Sequence, residues 1–188
     1  MKKFELTSEF ITNIFGTKLF RIKALIEFGN VKAGELGGFV EKEENLSQDG
    51  NAWVYDNARV YGNARVYGDA CVCGDARVYD NARVHGNACV YGNACVCGDA
   101  CVCGDARVCG DACVYGDAGY ATVHGFGSEY RTTTFFKTKA GVGVKCGCFY
   151  GNLSEFRKKV VETHGETKKA KEYLMLADLM EFRFSDNS

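Results

Sequence analysis

Proline is absent from all 188 residues. That absence rules out polyproline linkers and fixed kinks, and it leaves every residue a backbone N–H to donate to a ladder. Histidine is scarce, with three copies, so little material exists for a centre built on several imidazoles. Charge of one sign is missing too: 23 basic against 24 acidic side chains leave a formal charge of −1. No global field then steers the chain toward nucleic acid or an anionic membrane. No apolar run approaches the roughly 18 residues of a spanning helix. The start, Met1-Lys2-Lys3-Phe4-Glu5-Leu6, has lysines but no apolar stretch behind them, so no signal peptide is read. These absences predict a cytoplasmic protein with no membrane partner and no strong nucleic-acid signal.

What the chain has instead is glycine, at 23 copies, and cysteine, at 11. An odd cysteine count without an export signal argues against a disulfide framework. Nine of the cysteines lie inside a repeat. Eleven hexapeptides run from Asn51 to Gly116 without insertion, each reading [Asn/Asp]-Ala-[Arg/Cys/Trp]-Val-[Tyr/Cys/His]-[Gly/Asp]. A short fixed period means a solenoid whose units bury apolar side chains only against their neighbours. Ala and Val lie two apart and so point the same way on a strand, inward. The slots flanking Val point outward, which places the nine repeat cysteines on the surface. The [Gly/Asp]-[Asn/Asp] pair supplies corners that tolerate positive φ.

This pattern resembles the left-handed parallel β-helix of hexapeptide-repeat proteins. The resemblance implies an all-β solenoid with three hexapeptides per coil and residues eighteen apart stacked on successive rungs. Residues 1–50 then read as an N-terminal cap and irregular first coil, with a strand over 17–26 and a turn over 31–40. Residues 51–118 form the stack, nearly four coils and about 18 Å tall. Residues 119–188 read as a ββαα C-terminal module. Its hairpin spans 131–150. Its first helix opens at Asn152 with Glu155 in capping-box spacing and carries the stripe Leu153, Phe156, Val160, Val161. A second helix runs from about Thr167 to Phe182, with Ala170, Tyr173, Leu174, Ala177 and Met180 on one face. That stripe serves the solenoid end or self-association, and a homo-oligomer is expected. The order of an "LFRIKAL…GELGGFVEKEENLSQDG" start, the repeat and a "CGCFYGNLSEFRKKVVETHG" tail further resembles hexapeptide-repeat proteins of bacteriophage and prophage genomes. It implies no established activity; for a phage-encoded chain it implies the host cytoplasm.

Stacking at eighteen residues defines the candidate sites. Arg59 lies under Arg77 beside Tyr61 and Tyr79, and on the next face Arg65 lies under Arg83 beside Tyr67 and His85. Stacked cations repel by roughly 1 kcal/mol even in water, and guanidinium forks next to aromatic faces suit a phosphate-bearing ligand. These eight residues are the candidate ligand surface for a small anionic, nucleotide-like molecule or a host protein. The cysteines gather as Cys71, Cys73, Cys89; as Cys95, Cys97, Cys113; and as Cys101, Cys103 with His85. No group offers four ligands, so no metal and no cofactor is expected. Many proteins of this fold are CoA-dependent acyltransferases, which typically use a histidine near a loop projecting from a coil. The hexapeptides here have no such loop, and His124 is the one plausible catalytic position. The reading is a non-enzymatic binding protein without catalytic residues, possible in an anti-defence role. An acyltransferase and a purely structural scaffold are the alternatives.

Overall fold

Each rung satisfies the backbone of the next, and this makes the repeat a column. The computed structural model describes residues 1–127, 129 and 131–185; residues 128, 130 and 186–188 of the expected C-terminal module lie outside the described residues. Eleven short strands, β4 to β14, run from Trp53–Val54 to Cys113–Tyr115, one per hexapeptide, and are shared among three parallel walls. The expected β-solenoid and its rung spacing are observed. Arg59 pairs with Arg77, Cys71 with Cys89 and Cys95 with Cys113, each eighteen residues apart. Every repeat Ala and Val from Ala52 to Val114 is at most 1% exposed. At about 1.5–3 kcal/mol per buried valine, this stack is the principal source of stability.

The corners carry a second ladder. Asn51 donates to Asp69, Asn81 to Asp99, Asn87 to Asp105 and Asn93 to Asp111, all at 2.8–3.2 Å. The alternation of amide and carboxylate avoids like charges on successive rungs. Asp80 stands where most copies have glycine, with φ at 59°. Its carboxylate accepts the Gly98 N–H one rung above at 3.2 Å, an added bond that offsets the left-handed backbone.

The N-terminal segment is more regular than a cap and a turn. Strands β1 (Phe4–Thr12) and β2 (Lys18–Ala24) form an antiparallel hairpin. Strand β3 (Leu36–Val40) pairs with β2 antiparallel and with Arg59–Val60 in parallel, so residues 36–40 form the first rung of one wall. Phe4 and Phe28 pack edge-on against Trp53, at 6.1 and 5.3 Å between ring centroids. This explains why one outward slot holds tryptophan: the cap covers it, and it is fully buried.

Each solenoid end presents backbone groups that another rung would have satisfied. At the lower end the Lys3 ammonium donates to the carbonyls of Ala52 (3.0 Å) and Gly50 (3.3 Å). Burial holds its pKa down to about 8, opposed by Asp49. The buried Asn45 amide donates to the carbonyls of Ala64 (2.8 Å) and Gly62 (3.2 Å). At the upper end the N–H of Arg107 donates to Thr134 Oγ1 (3.0 Å) and that of Cys103 to Tyr120 Oη (3.3 Å).

The C-terminal module adds two strands to the expected hairpin. Strands β15 (Tyr120–Val123), β16 (Thr133–Thr138), β17 (Gly141–Cys146) and β18 (Phe149–Asn152) make one antiparallel sheet. Helices α1 (Leu153–His164) and α2 (Lys168–Phe184) follow. On β16 the alternation of a strand separates two cores: Phe136 joins the solenoid interior, and Phe135 faces the helices. The Asn152–Glu155 capping box is present. The α1 stripe needs one correction, because Val161 is exposed while Leu153, Phe156 and Val160 are buried. In α2 the packed face also takes Leu176 and Phe184, and Leu174 is only half-buried.

Replacing Lys3 with methionine leaves the Gly50 and Ala52 carbonyls without their donor. The expected loss is about 1–3 kcal/mol, measured by urea denaturation; an unchanged midpoint contradicts the capping role.

Candidate functional site

The arginine columns stack in the expected register, on two adjacent walls. Arg59 and Arg77 stand on the wall that includes β3, whereas Arg65 and Arg83 stand on the next wall, across the Gly62–Asn63 corner. Their guanidinium groups therefore serve different faces. The neighbouring rings stack on one another, Tyr61 on Tyr79 at 5.0 Å and Tyr67 on His85 at 4.7 Å, both nearly parallel. Aromatic faces expected to receive a base are thus partly occupied by each other. Burial pushes the Tyr61 phenol up, against the nearby Arg77. Of these eight residues, Arg77 reaches a larger concavity, a groove of about 1050 Å³ between its wall and the C-terminal module.

A different set of cations converges at the top of the third wall. Arg107, Arg131 and Lys145 line a cleft of about 430 Å³ together with Asp105, Thr132 and Gly147. Thr134 organises two of them: its hydroxyl fixes the Arg107 backbone, and its strand position pairs with Lys145. Arg131 lies over Gly147, whose φ of 55° favours glycine, and a Cβ there would sit 2.7 Å from the guanidinium. The carboxylate of Asp105 already accepts from Asn87 at 3.1 Å. Glu129 is 3.7 Å from Arg131, with both side chains mostly exposed, which gives a weak pair. The cleft therefore has an excess of positive charge in a chain that is overall near neutral. His124 touches its edge, since Nδ1 is 3.2 Å from Thr132 Oγ1.

Sequence reasoning missed this cleft because its residues come from three segments. One signal was present. The outward column of that wall reads Trp53, Cys71, Cys89, Arg107, and the last member breaks the run of apolar and thiol side chains.

The thiols divide in ways the spacing did not show. Cys97 and Cys109 are buried, covered in their outward slots. Cys97 is layered under Tyr115, its strand partner, while Cys95 on the same strand donates to Tyr79 Oη at 3.4 Å. Beside Cys109, the Tyr150 ring of the C-terminal module closes over the adjacent Gly110. The Cys146-Gly147-Cys148 pair is split, as Cys146 turns toward Thr133 (3.1 Å) while Cys148 is exposed. Cys71, Cys73 and Cys89 do form a cluster. Cys71 is pushed up, while Cys89, paired with it on the neighbouring rung, is held down to about 7 by that thiol, with help from Arg107 and against its burial. Peptide-resolved alkylation at Cys89 should therefore reach half its maximal rate near pH 7, against about 8.5 for an ordinary thiol. Changing Cys71 to alanine should move the midpoint upward; a wild-type midpoint at the ordinary value contradicts the influence of Cys71 on Cys89.

Among the described residues no helix is long and apolar enough to cross a membrane. A family model described as the YdcK beta solenoid repeat matches residues 52–68, 58–74, 72–86 and 76–92, all inside the hexapeptide stack. The chain is also similar to the uncharacterized acetyltransferase YdcK of Escherichia coli (strain K12), at 40% identity over 63 residues. That similarity covers 30% of this chain and 19% of the relative, so the chain spans about a fifth of the length of the curated protein it matches. The match over residues 52–92 and the three parallel walls agree on a β-solenoid built of repeats.

Proposed function

We propose that this protein is a binding protein for a small phosphate-bearing anion, held where the last rung meets the C-terminal sheet. The observation that carries the proposal is the convergence of Arg107, Arg131 and Lys145 on one cleft of about 430 Å³. Like charges this close repel in the free protein, and an anion relieves that repulsion while accepting planar guanidinium bonds. The rigid stack fixes Arg107, and β17 fixes Lys145, so little ordering cost opposes binding. The phage-type resemblance adds a setting, sequestration of a nucleotide-like signal against host defence, and rests on that likeness alone. Self-association fits the exposed Met175, Leu179 and Phe182 of α2.

A second reading, acyl transfer, is favoured by one observation. His124 meets the cleft through Thr132, and the matched relative is named an acetyltransferase. An imidazole bound to a hydroxyl and not to a carboxylate is weakly oriented as a general base.

Thermal shift with ATP, cyclic dinucleotides and inorganic polyphosphate tests the first reading. A ligand specific to the folded state raises the melting temperature by mass action, and the rise must shrink with salt. The rise should vanish in the Arg107→Gln/Lys145→Gln variant and persist in Arg77→Gln/Arg83→Gln. No shift with any anion, or a shift lost only in the second variant, overturns the cleft assignment. Turnover of acetyl-CoA that is abolished in His124→Ala would replace it with the enzymatic reading.

A further inference from the structure

On the second wall two thiols and an imidazole meet. Cys101, on β12, and Cys103, just past its end, flank the inward Val102, and His85 stands one rung below in the slot that Cys103 occupies above. His85 Nε2 is 3.3 Å from Cys101 Sγ, and the three potential ligand atoms all lie within 4.8 Å of one another. We propose that His85 Nε2, Cys101 Sγ and Cys103 Sγ bind one thiophilic ion of the zinc class, with the fourth coordination position open.

The geometry is close to what such an ion requires. Zinc takes thiolate at about 2.3 Å and imidazole at about 2.0–2.1 Å, so ligands at tetrahedral angles sit roughly 3.5–3.8 Å apart. The histidine–cysteine edge is already near that value. The other edges close by about 1 Å of side-chain rotation, and the rungs do not move. Three protein ligands looked too few in the sequence, which is why no metal was expected there. Three with one open position is nevertheless a complete protein contribution for zinc sites that keep an exchangeable ligand. Two thiolates and a neutral imidazole also balance a dication, so the half-buried centre carries no net charge.

The surroundings hold the ligands in place. The Tyr67 ring stacks beneath His85 at 4.7 Å and 9°, which fixes the imidazole plane. Tyr120, from β15, donates to the Cys101 carbonyl at 2.8 Å and accepts from the Cys103 N–H at 3.3 Å, so it locks the backbone that carries both thiols. Its oxygen is 3.8 Å from Cys103 Sγ. The ligand preference is soft: thiolate and imidazole select zinc or copper(I) over magnesium or calcium. This site lies on a different wall from the cation cleft and does not depend on it.

The test is a cobalt(II) titration of the reduced full-length protein after stripping with chelator. Expected are thiolate-to-cobalt charge-transfer absorption and tetrahedral d–d bands that saturate at one equivalent and are displaced by one equivalent of zinc. Zinc-edge X-ray absorption should report two sulfurs and a histidine nitrogen. C101S/C103S should remove the thiolate band. H85Y, which installs the tyrosine used in that slot by other copies, should keep the fold by circular dichroism and weaken zinc by at least on the order of tenfold. C71S/C89S should leave the titration unchanged. Absence of a stoichiometric thiolate band in wild type overturns the proposal. So does a band that survives in C101S/C103S or disappears in C71S/C89S, or full-strength zinc binding by H85Y.

Discussion

The parallel backbone ladder between rungs is the constraint on which everything else depends. Rungs about 4.8 Å apart force residues eighteen positions apart into vertical contact, so each slot of the hexapeptide becomes a column with its own chemistry. Valine and alanine columns make a dry interior. Asn–Asp columns make a corner ladder that avoids stacked carboxylates. Outward columns are free to carry arginine, tyrosine or cysteine, and that freedom is where function can reside on a scaffold otherwise fixed by packing.

A ladder has ends, and the ends shape the rest of the molecule. Below, a lysine and an asparagine supply donors to carbonyls of the first complete coil. Above, a tyrosine and a threonine supply acceptors to amides of the last coil. Neither end could be left bare, because each exposed rung is a template for pairing with another chain. The upper closure has a consequence for chemistry. Capping Arg107 through Thr134 brings the C-terminal sheet against the stack, and with it Lys145 and Arg131. Capping Cys103 through Tyr120 braces the thiol pair beside His85. Both candidate sites are thus tied to the groups that terminate the ladder.

Much of this was legible in the sequence wherever local rules suffice. The hexapeptide period fixed the Val interior, the rung pairing and the glycine corners, and the Asn152–Glu155 spacing marked the start of α1. Three kinds of feature were not legible. Strands β1 and β3 lack the repeat, and their pairing is a tertiary choice. Burial of Cys97 and Cys109 depends on Tyr115 and on the C-terminal module, which a repeat register does not report. The cation cleft joins positions 107, 131 and 145, whose proximity arises only when the sheet docks. The arginine columns were legible as well: the eighteen-residue register places them on two adjacent faces, and a coil corner separates their walls.

The account holds that side chains from both flanks close the ladder, and amide hydrogen exchange tests this most directly. The amides of Arg107 and Cys103, on the last rung, should be protected to an extent comparable with Arg77 and Cys89 in the interior. In Thr134→Val the protection at Arg107 should fall while that at Arg77 stays. Exchange at Arg107 and Cys103 as fast as in exposed turns of the wild-type protein would contradict the account.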